Sequence, residues 1–187
     1  MQTVLRVDLV GHGLTEAVRK ARFPVDEPLD ESGRAALRRA AVRGRVPLTD
    51  AQVLIAPERR ARETAEVLRL TGESDERLRD LDAGSWRGSE MGSLVQDQLF
   101  AWLTDPQFRG HGGESVTDLV ERARFWLAEV ASAGRDTVAV THPAVIRAAV
   151  LVVLDAPPKS FWRMDVATAG IVRLHYRGNW TLRLGED

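Results

Sequence analysis

Residues 3–15 have the sequence TVLRVDLVGHGLT, and this run sets the architecture of the 187-residue chain. Its first part, up to residue 10, is mostly aliphatic and β-branched, which is typical of a buried strand that ends at Gly11. His12 follows between two glycines, and Thr15 precedes a segment that begins with Glu16. The run therefore predicts a strand, a tight loop that carries a histidine, and a helix capped by Thr15.

Apolar runs and helical periodicity alternate through the rest of the chain. We predict helices at 31–43, 58–70, 115–133 and 144–154, and strands at 51–56, 136–141, 170–176 and 180–184. Strands that alternate with helices indicate a mostly parallel sheet covered on both faces, and the closing pair indicates an antiparallel hairpin. The prediction is one domain over residues 1–187, a three-layer α/β/α sandwich. Residues 84–113 are the least regular part, and we expect them to cross an edge of the sheet.

The composition argues against several classes of protein. With 26 basic and 27 acidic residues the net charge is −1, whereas a nucleic-acid binder usually has a basic surplus. No apolar run approaches the length of a membrane span, and residues 1–10 do not resemble a signal peptide. The sequence contains no cysteine, which excludes thiolate nucleophiles and cysteine-type zinc sites. We expect a cytoplasmic protein that binds neither nucleic acid nor membrane. The sequence leaves the oligomeric state open, a homodimer included.

Three segments carry histidine or arginine where a predicted strand gives way to a helix. They are residues 9–15 (LVGHGLT), 56–65 (APERRARETA) and 140–147 (VTHPAVIR). Open α/β sheets bind ligands at the carboxyl ends of their strands, so we expect the three segments to meet. Imidazoles, guanidinium groups and helix N-termini together favour the binding of a phosphoryl group.

These segments resemble the motifs of the histidine phosphatase superfamily, which is phosphoglycerate-mutase-like. That family has Arg-His-Gly after the first strand, Ser-Pro-x-x-Arg-Ala at the start of a helix, and a late Ser/Thr-His. Its Gly-x-Trp-x-Gly and Gly-Gly-Glu-Ser segments match residues 84–88 (GSWRG) and 112–115 (GGES). The matches occur in the family's order and cover most of the chain. The resemblance implies a phosphoglycerate-mutase-like fold and a phosphatase that needs no metal or cofactor and acts on a small phosphorylated substrate.

The resemblance also implies a role for each matching residue. His12 matches the nucleophile that becomes phosphorylated, Arg60 the arginine that holds the phosphoryl oxygens, and His142 the second histidine. The family's general acid lies just before the Gly-x-Trp segment, where this chain has Asp80, with Asp82 as the alternative. A free aspartate titrates near ~3.9. Asp80 can therefore act near neutral pH only if burial or an adjacent phosphate raises its pKa.

The chain departs from the family at three positions. Gly11 stands where the family has arginine, Val18 where it has asparagine, and Ala56 where it has serine. Loss of one preorganised donor typically costs roughly 2.7–4 kcal/mol of transition-state stabilisation. We therefore expect that another arginine reaches the site, that turnover is weak, or that the pocket serves different chemistry. The candidate arginines are Arg19, Arg22, Arg59 and Arg87.

Two rival enzymes fit the sequence less well. A dinucleotide-binding turn requires a glycine or alanine where Glu16 stands, and a carboxylate there would repel a pyrophosphate. The resemblance implies that mutases of the superfamily are longer. We predict a phosphatase that hydrolyses a small phosphomonoester through a phosphohistidine at His12, with Thr15 as a further substrate contact. The alternative is a weakly active or inactive protein of the same fold that binds a phosphorylated ligand.

Overall fold

The computed structural model describes residues 4–42 and 48–184. In these ranges the strands are β1 (Leu5–Gly11), β2 (Gln52–Ile55), β3 (Glu73–Ser74), β4 (Thr137–Thr141), β5 (Ile171–Tyr176) and β6 (Trp180–Arg183). The α-helices are α1 (Glu16–Arg19), α2 (Glu31–Val42), α3 (Arg59–Val67), α4 (Gln96–Thr104), α5 (Val116–Ala133) and α6 (Pro143–Val153). Short 3-10 helices lie at Glu76–Leu78, Gly84–Trp86, Met91–Ser93 and Pro158–Arg163. The predicted end residues Thr3 and Arg43 lie outside the described residues.

The strands form one mixed sheet with the order β3-β2-β4-β1-β5-β6. The first four strands in this order are mutually parallel, β5 runs antiparallel to β1, and β6 runs antiparallel to β5. The structure thus confirms the mostly parallel sheet and the closing hairpin. None of the helices in the described ranges has the length and apolar character that a bilayer-spanning segment requires.

Both faces of the sheet are covered, as predicted. Every residue of β4 is buried, and successive side chains of a strand point to opposite faces. The main core joins these strands to α5 and α6, which pack against each other around Trp126, Ile146 and Phe161. The carboxyl ends of β1, β2 and β4 therefore sit on a rigid, fully packed base.

Helix α5 shows how a local motif fixes an element. The hydroxyl of Ser115 accepts the backbone N–H of Asp118, whose carboxylate accepts the backbone N–H of Ser115. Gly134 ends the helix in the left-handed conformation, with φ of 64°. Glu114, from the same Gly-Gly-Glu-Ser segment, forms an ion pair with Arg122 at 2.7 Å. This segment therefore starts and anchors a helix.

Residues 84–113 contribute no strand to the sheet and build a second apolar cluster. They form two short 3-10 helices and α4. The cluster consists of Phe23, Ala83, Trp86 and Trp102. Trp86 and Trp102 meet edge to face at 6.1 Å between ring centroids. Residues 84–113, which sequence analysis could not interpret, thus contribute to an aromatic cluster beside the sheet.

Substitution of Gly84 by alanine should destabilise the fold strongly. Gly84 has φ of +53°, and a Cβ atom there would lie 2.1 Å from the carbonyl oxygen of His111. Both the left-handed backbone and this clash with another backbone group oppose alanine. We expect a loss of about 2–4 kcal/mol in the free energy of unfolding, measured by urea denaturation. Gly92→Ala, where a Cβ meets nothing within 4 Å, is the matched control and should change stability little. Equal stability of the two variants would contradict this account.

Candidate active site

The register of the sheet brings the two predicted histidines together. Gly11 pairs with Thr141 in adjacent parallel strands, so that His12 and His142 leave β1 and β4 side by side. The backbone N–H of His12 donates to the carbonyl oxygen of Thr141 at 2.9 Å. The two ring centroids are 5.2 Å apart, and both side chains are buried. Two imidazoles distant in sequence thus share one place at the carboxyl edge of the sheet.

Arg60 joins them from the first turn of α3, which follows β2. Its side chain is only 2% exposed. One terminal nitrogen, Nη2, donates to Asp80 Oδ2 at 2.7 Å, and the other, Nη1, donates to the carbonyl oxygen of Val25 at 3.0 Å. The buried Nε has no hydrogen-bond partner among the described residues. The structure therefore gathers His12, His142, Arg60 and Asp80 into one cluster.

His12 is positioned as a neutral imidazole with one free lone pair. Its Nδ1 lies 2.7 Å from the carbonyl oxygen of Gly13, and only an N–H can be donated to that oxygen. This contact assigns the proton to Nδ1 and leaves the lone pair on Nε2. Burial, together with the charges of His142 and Arg60, lowers the pKa of His12 to about 3. The ring is therefore neutral over the whole physiological pH range.

Asp80 is ionised in this structure, so burial does not meet the condition that its role as general acid requires. Burial does act to raise the pKa of Asp80, but the neighbouring His142 and Arg60 outweigh it and bring the pKa to about 2. Asp80 Oδ2 lies 2.7 Å from Arg60 Nη2 and 3.5 Å from His142 Nδ1. The sequence analysis named two effects that could raise the pKa of Asp80, burial and an adjacent phosphate. Only the adjacent phosphate remains as a means of protonating Asp80.

Glu58 is a member of the cluster that the sequence analysis missed. Its Oε2 accepts a hydrogen bond from His142 Nε2 at 2.8 Å, and its Oε1 accepts the backbone N–H of Asp80 at 2.8 Å. Burial alone would raise the pKa of Glu58, but the hydrogen bond from His142 lowers it to about 2. One carboxylate therefore orients two site residues. The residue occupies a variable position of the family motif, two places before Arg60, so the motif gave no signal for it.

Asp82 and Thr15 lie outside the cluster. Asp82 Oδ1 accepts from the backbone N–H of Gly84 at 2.9 Å and from Arg87 Nη2 at 2.8 Å, in a partly exposed position. Geometry therefore favours Asp80 over Asp82. The Thr15 hydroxyl accepts the backbone N–H of Val18 as the helix cap and donates to Glu27 Oε1 at 3.2 Å. Thr15 is fully buried and does not line the pocket described next, so the structure gives it a positioning role.

A cavity of about 360 Å³ opens directly beside the cluster, and we call it the His12 pocket. Its walls are mostly apolar, and its charged wall residues, apart from the cluster itself, are Arg22, Glu27 and Arg147. The volume lies at the small end of the range for ligand pockets, roughly 300–1,000 Å³. A larger, open cleft of about 1240 Å³ lies at the opposite, amino end of the strands and contains no histidine. Of the cluster, His12, Arg60 and Asp80 line the smaller cavity.

Of the four arginines proposed to replace the one missing at position 11, only Arg22 lines the His12 pocket. Arg19, Arg59 and Arg87 are paired with Asp30, Glu63 and Asp82, respectively. Arg22 Nη2 contacts Glu90 Oε1 at 3.1 Å, whereas its buried Nε has no partner among the described residues.

Arg147, which sequence analysis did not select, also lines the His12 pocket. It lies in the second turn of α6, four residues after Pro143. Its Nε donates to the carbonyl oxygen of Met164 at 2.8 Å, and its guanidinium lies 5.6 Å from the ring centroid of Trp162. Helical side chains lean toward the N-terminus of their helix, which directs Arg147 toward the start of α6 beside His142.

The site combines imidazoles and a guanidinium group with two carboxylates. Within the two described ranges, no group of three or more histidine or acidic side chains is arranged to hold a metal ion. Buried imidazoles and a guanidinium at the carboxyl edge of an α/β sheet define a protein that handles phosphoryl groups. The chain belongs to the histidine phosphatase superfamily, branch 1, whose family model matches residues 7–186. This confirms the resemblance drawn from the motifs and the phosphoglycerate-mutase-like fold.

Several relatives of this chain are named as phosphatases. The chain is 31% identical over 173 residues to the glucosyl-3-phosphoglycerate phosphatase of Mycobacterium tuberculosis, with 81% of this chain and 76% of that protein aligned. It is 26% identical over 132 residues to phosphoserine phosphatase 1 of Hydrogenobacter thermophilus, with 66% of this chain and 63% of that protein aligned. The match thus spans less than two thirds of the latter. A solved structure named mycobacterial hydrolase 1 superposes with a TM-score of 0.84 at 27% identity, covering 97% of this chain and 98% of that one.

The lowered pKa of His12 predicts that the protein loses stability in mild acid. Between the ordinary pKa of 6.5 and the value of about 3 in the fold, the unfolded chain binds a proton at His12 that the folded chain does not. The free energy of unfolding should therefore fall with decreasing pH, by up to about 1.4 kcal/mol per pH unit from this group.

Urea denaturation between pH 7 and pH 5 tests this linkage. The window lies above the ordinary pKa of 4.5 for Glu58 and 3.8 for Asp80, so the carboxylates contribute little. In His12→Gln the stability curve should be flatter than in the wild type, whatever the absolute stability of the variant. Parallel curves would show that His12 is not held neutral by the fold.

Proposed function

We propose that the protein is a phosphatase that hydrolyses a small phosphomonoester through a phosphohistidine at His12. The observation that carries the proposal is the cluster itself: a neutral His12 with a free Nε2 lone pair, beside His142, Arg60 and Asp80. The relatives named as phosphatases support the same reaction class.

In the first step, His12 Nε2 attacks the phosphorus atom and a P–N bond forms while the P–O bond to the alcohol breaks. The hydrogen bond from Nδ1 to Gly13 keeps the ring oriented and removes the need for a separate base. Arg60 and His142 hold the phosphoryl oxygens, using the Nε of Arg60 and the Nδ1 of His142, which have no hydrogen-bond partner among the described residues. Transfer of a phosphoryl group depends mainly on such positioning and charge stabilisation.

Asp80 protonates the departing alcohol oxygen. A bound phosphoryl dianion would engage the cations that now hold the pKa of Asp80 at about 2, and it would add negative charge beside the carboxylate. Both effects raise the pKa of Asp80 and favour its protonated form. In the second step a water molecule attacks the phosphohistidine, Asp80 takes the proton from that water, and inorganic phosphate leaves as the P–N bond breaks.

Trapping the covalent intermediate is the direct test. The protein should hydrolyse 4-nitrophenyl phosphate, and rapid quenching in alkali should leave phosphate on His12, located by mass spectrometry. His12→Ala should abolish both signals, and EDTA should affect neither. Binding of phosphate esters with no turnover and no phosphohistidine would instead support the alternative, a ligand-binding protein on the phosphatase fold, which the loss of the motif arginine at Gly11 motivates.

Glu58→Gln should lower kcat/KM for 4-nitrophenyl phosphate by roughly tenfold to a hundredfold. The amide keeps the shape of Glu58 but removes the negative charge that fixes His142 and supports Asp80. The pH profile of kcat/KM should shift as well, because the charge beside both ionisable groups changes. Glu66→Gln, at an exposed position of the same helix, is the matched control and should leave rate and profile unchanged. A wild-type profile in Glu58→Gln would remove Glu58 from the mechanism.

A further inference from the structure

Unpaired buried polar atoms are concentrated at the site and the His12 pocket. Among the described residues, five buried side-chain nitrogen or oxygen atoms have no hydrogen-bond partner, and only that of His111 lies elsewhere. The other four atoms belong to Arg22, Glu27, Arg60 and His142. Buried polar groups in proteins are nearly always satisfied, so such a concentration indicates a place where bound water or a ligand supplies the partners. The phosphoryl group of the proposed reaction accounts for Arg60 and His142, but not for the other two.

Arg22 and Glu27 both line the pocket, and their unpaired atoms, Nε and Oε2, have complementary hydrogen-bonding character. The nitrogen can only donate a hydrogen bond, and the carboxylate oxygen can only accept one. A hydroxyl group does both, so one hydroxyl or two neighbouring hydroxyls would satisfy the two atoms together. The transfer step proposed above uses neither residue, which points to recognition of the alcohol that leaves.

Both side chains are held in place before any ligand arrives. Arg22 pairs with Glu90 through its guanidinium, and the two residues are also joined by an isolated antiparallel β-bridge. Glu27 Oε1 accepts the hydroxyl of Thr15, the cap of α1. Each residue thus uses one polar atom for support and leaves another unpaired. Preorganisation of this kind lowers the entropic cost of binding.

The remaining wall is aromatic and apolar. The rings of Phe23 and Trp102 lie 5.4 Å apart and those of Trp102 and Trp162 lie 4.2 Å apart, and all three residues line the pocket. A sugar ring offers C–H groups on its faces and hydroxyls at its edge, which suits an apolar wall beside a donor and an acceptor. A cavity of about 360 Å³ is also larger than a three-carbon amino acid such as serine requires.

We infer that the His12 pocket selects a sugar phosphate, with the sugar ring against Trp102 and Trp162 and a ring hydroxyl between Arg22 Nε and Glu27 Oε2. This inference rests on the proposed phosphatase function and specifies its substrate class. It assigns Arg22 and Glu27 to substrate recognition and Thr15 to the support of Glu27.

A matched pair of esters tests the inference. Glucose 6-phosphate and cyclohexylmethyl phosphate carry the same phosphoryl group on a similar six-membered ring, but only the first has hydroxyls. A site built to hydrogen-bond a hydroxyl discriminates against the analogue that lacks it, so kcat/KM should be at least roughly tenfold higher for the sugar ester. Phosphoserine should be a poorer substrate than glucose 6-phosphate.

Variants of Arg22 and Glu27 test whether these two residues cause the preference for the sugar ester. In Arg22→Met and in Glu27→Gln, the ratio of the two kcat/KM values should fall by roughly tenfold or more. Glutamine keeps an oxygen for Thr15 and so preserves the support of α1. Arg19→Met is the control, because Arg19 pairs with Asp30 and does not line the pocket, and its ratio should stay at the wild-type value.

The outcomes distinguish failure of the sugar assignment from failure of the proposed phosphatase function. Hydrolysis of 4-nitrophenyl phosphate without preference for the sugar ester, or preference for phosphoserine, would overturn the sugar assignment and leave the phosphatase intact. A sugar preference that survives in both Arg22→Met and Glu27→Gln would overturn the roles of these residues. If no ester is hydrolysed, including 4-nitrophenyl phosphate, the phosphatase and the sugar assignment both fail.

Discussion

The pairing of β1 with β4 is the constraint on which the site depends. Because Gly11 is opposite Thr141, the two histidines that follow are neighbours, and a shift of one residue would turn the side chains of a strand to the other face of the sheet. Such a shift is prevented by packing, since β4 is buried at all five positions. The geometry of the polar site is therefore set by apolar side chains below it. His12 and His142 only occupy the positions that this packing defines.

Charge balance explains why the cluster tolerates burial. A buried guanidinium without partners would be very costly, and Asp80 at 2.7 Å from Arg60 offsets that cost. Glu58 has the same relation to His142, at 2.8 Å. His12 alone has no carboxylate hydrogen-bonded to its ring, and it is the group whose pKa is lowered to about 3. Arg60 and His142, each in contact with a carboxylate, thus lie beside one neutral imidazole, which keeps a nucleophilic lone pair available where a cation would have none.

The sequence predicted the fold and the placement of the central side chains, because both depend on ordered motifs and strong periodicity. It failed for groups that are placed by tertiary contacts. Glu58 reaches His142 across 84 positions of the chain, and no local pattern marks that contact. The His12 pocket likewise combines residues 21–27 with Trp102 and Trp162, so its character emerges only after folding. The ionised state of Asp80 also required coordinates, since it follows from two neighbours that outweigh burial.

The replacement of the family's arginine by Gly11 changes the chemistry of the site, because the fold does not require glycine at this position. A Cβ atom at this position would lie 3.4 Å from the carbonyl oxygen of Ala167, an ordinary contact, and the backbone is not left-handed. In place of the motif arginine, the chain has Arg22 and Arg147 on the walls of the His12 pocket. Such cations can contact the alcohol part of a substrate as well as its phosphoryl group. Binding energy from the non-reacting part of a substrate can be used to lower the barrier at the reacting centre. For the proposed phosphatase, we therefore expect a generic aryl phosphate to report only part of the catalytic capacity.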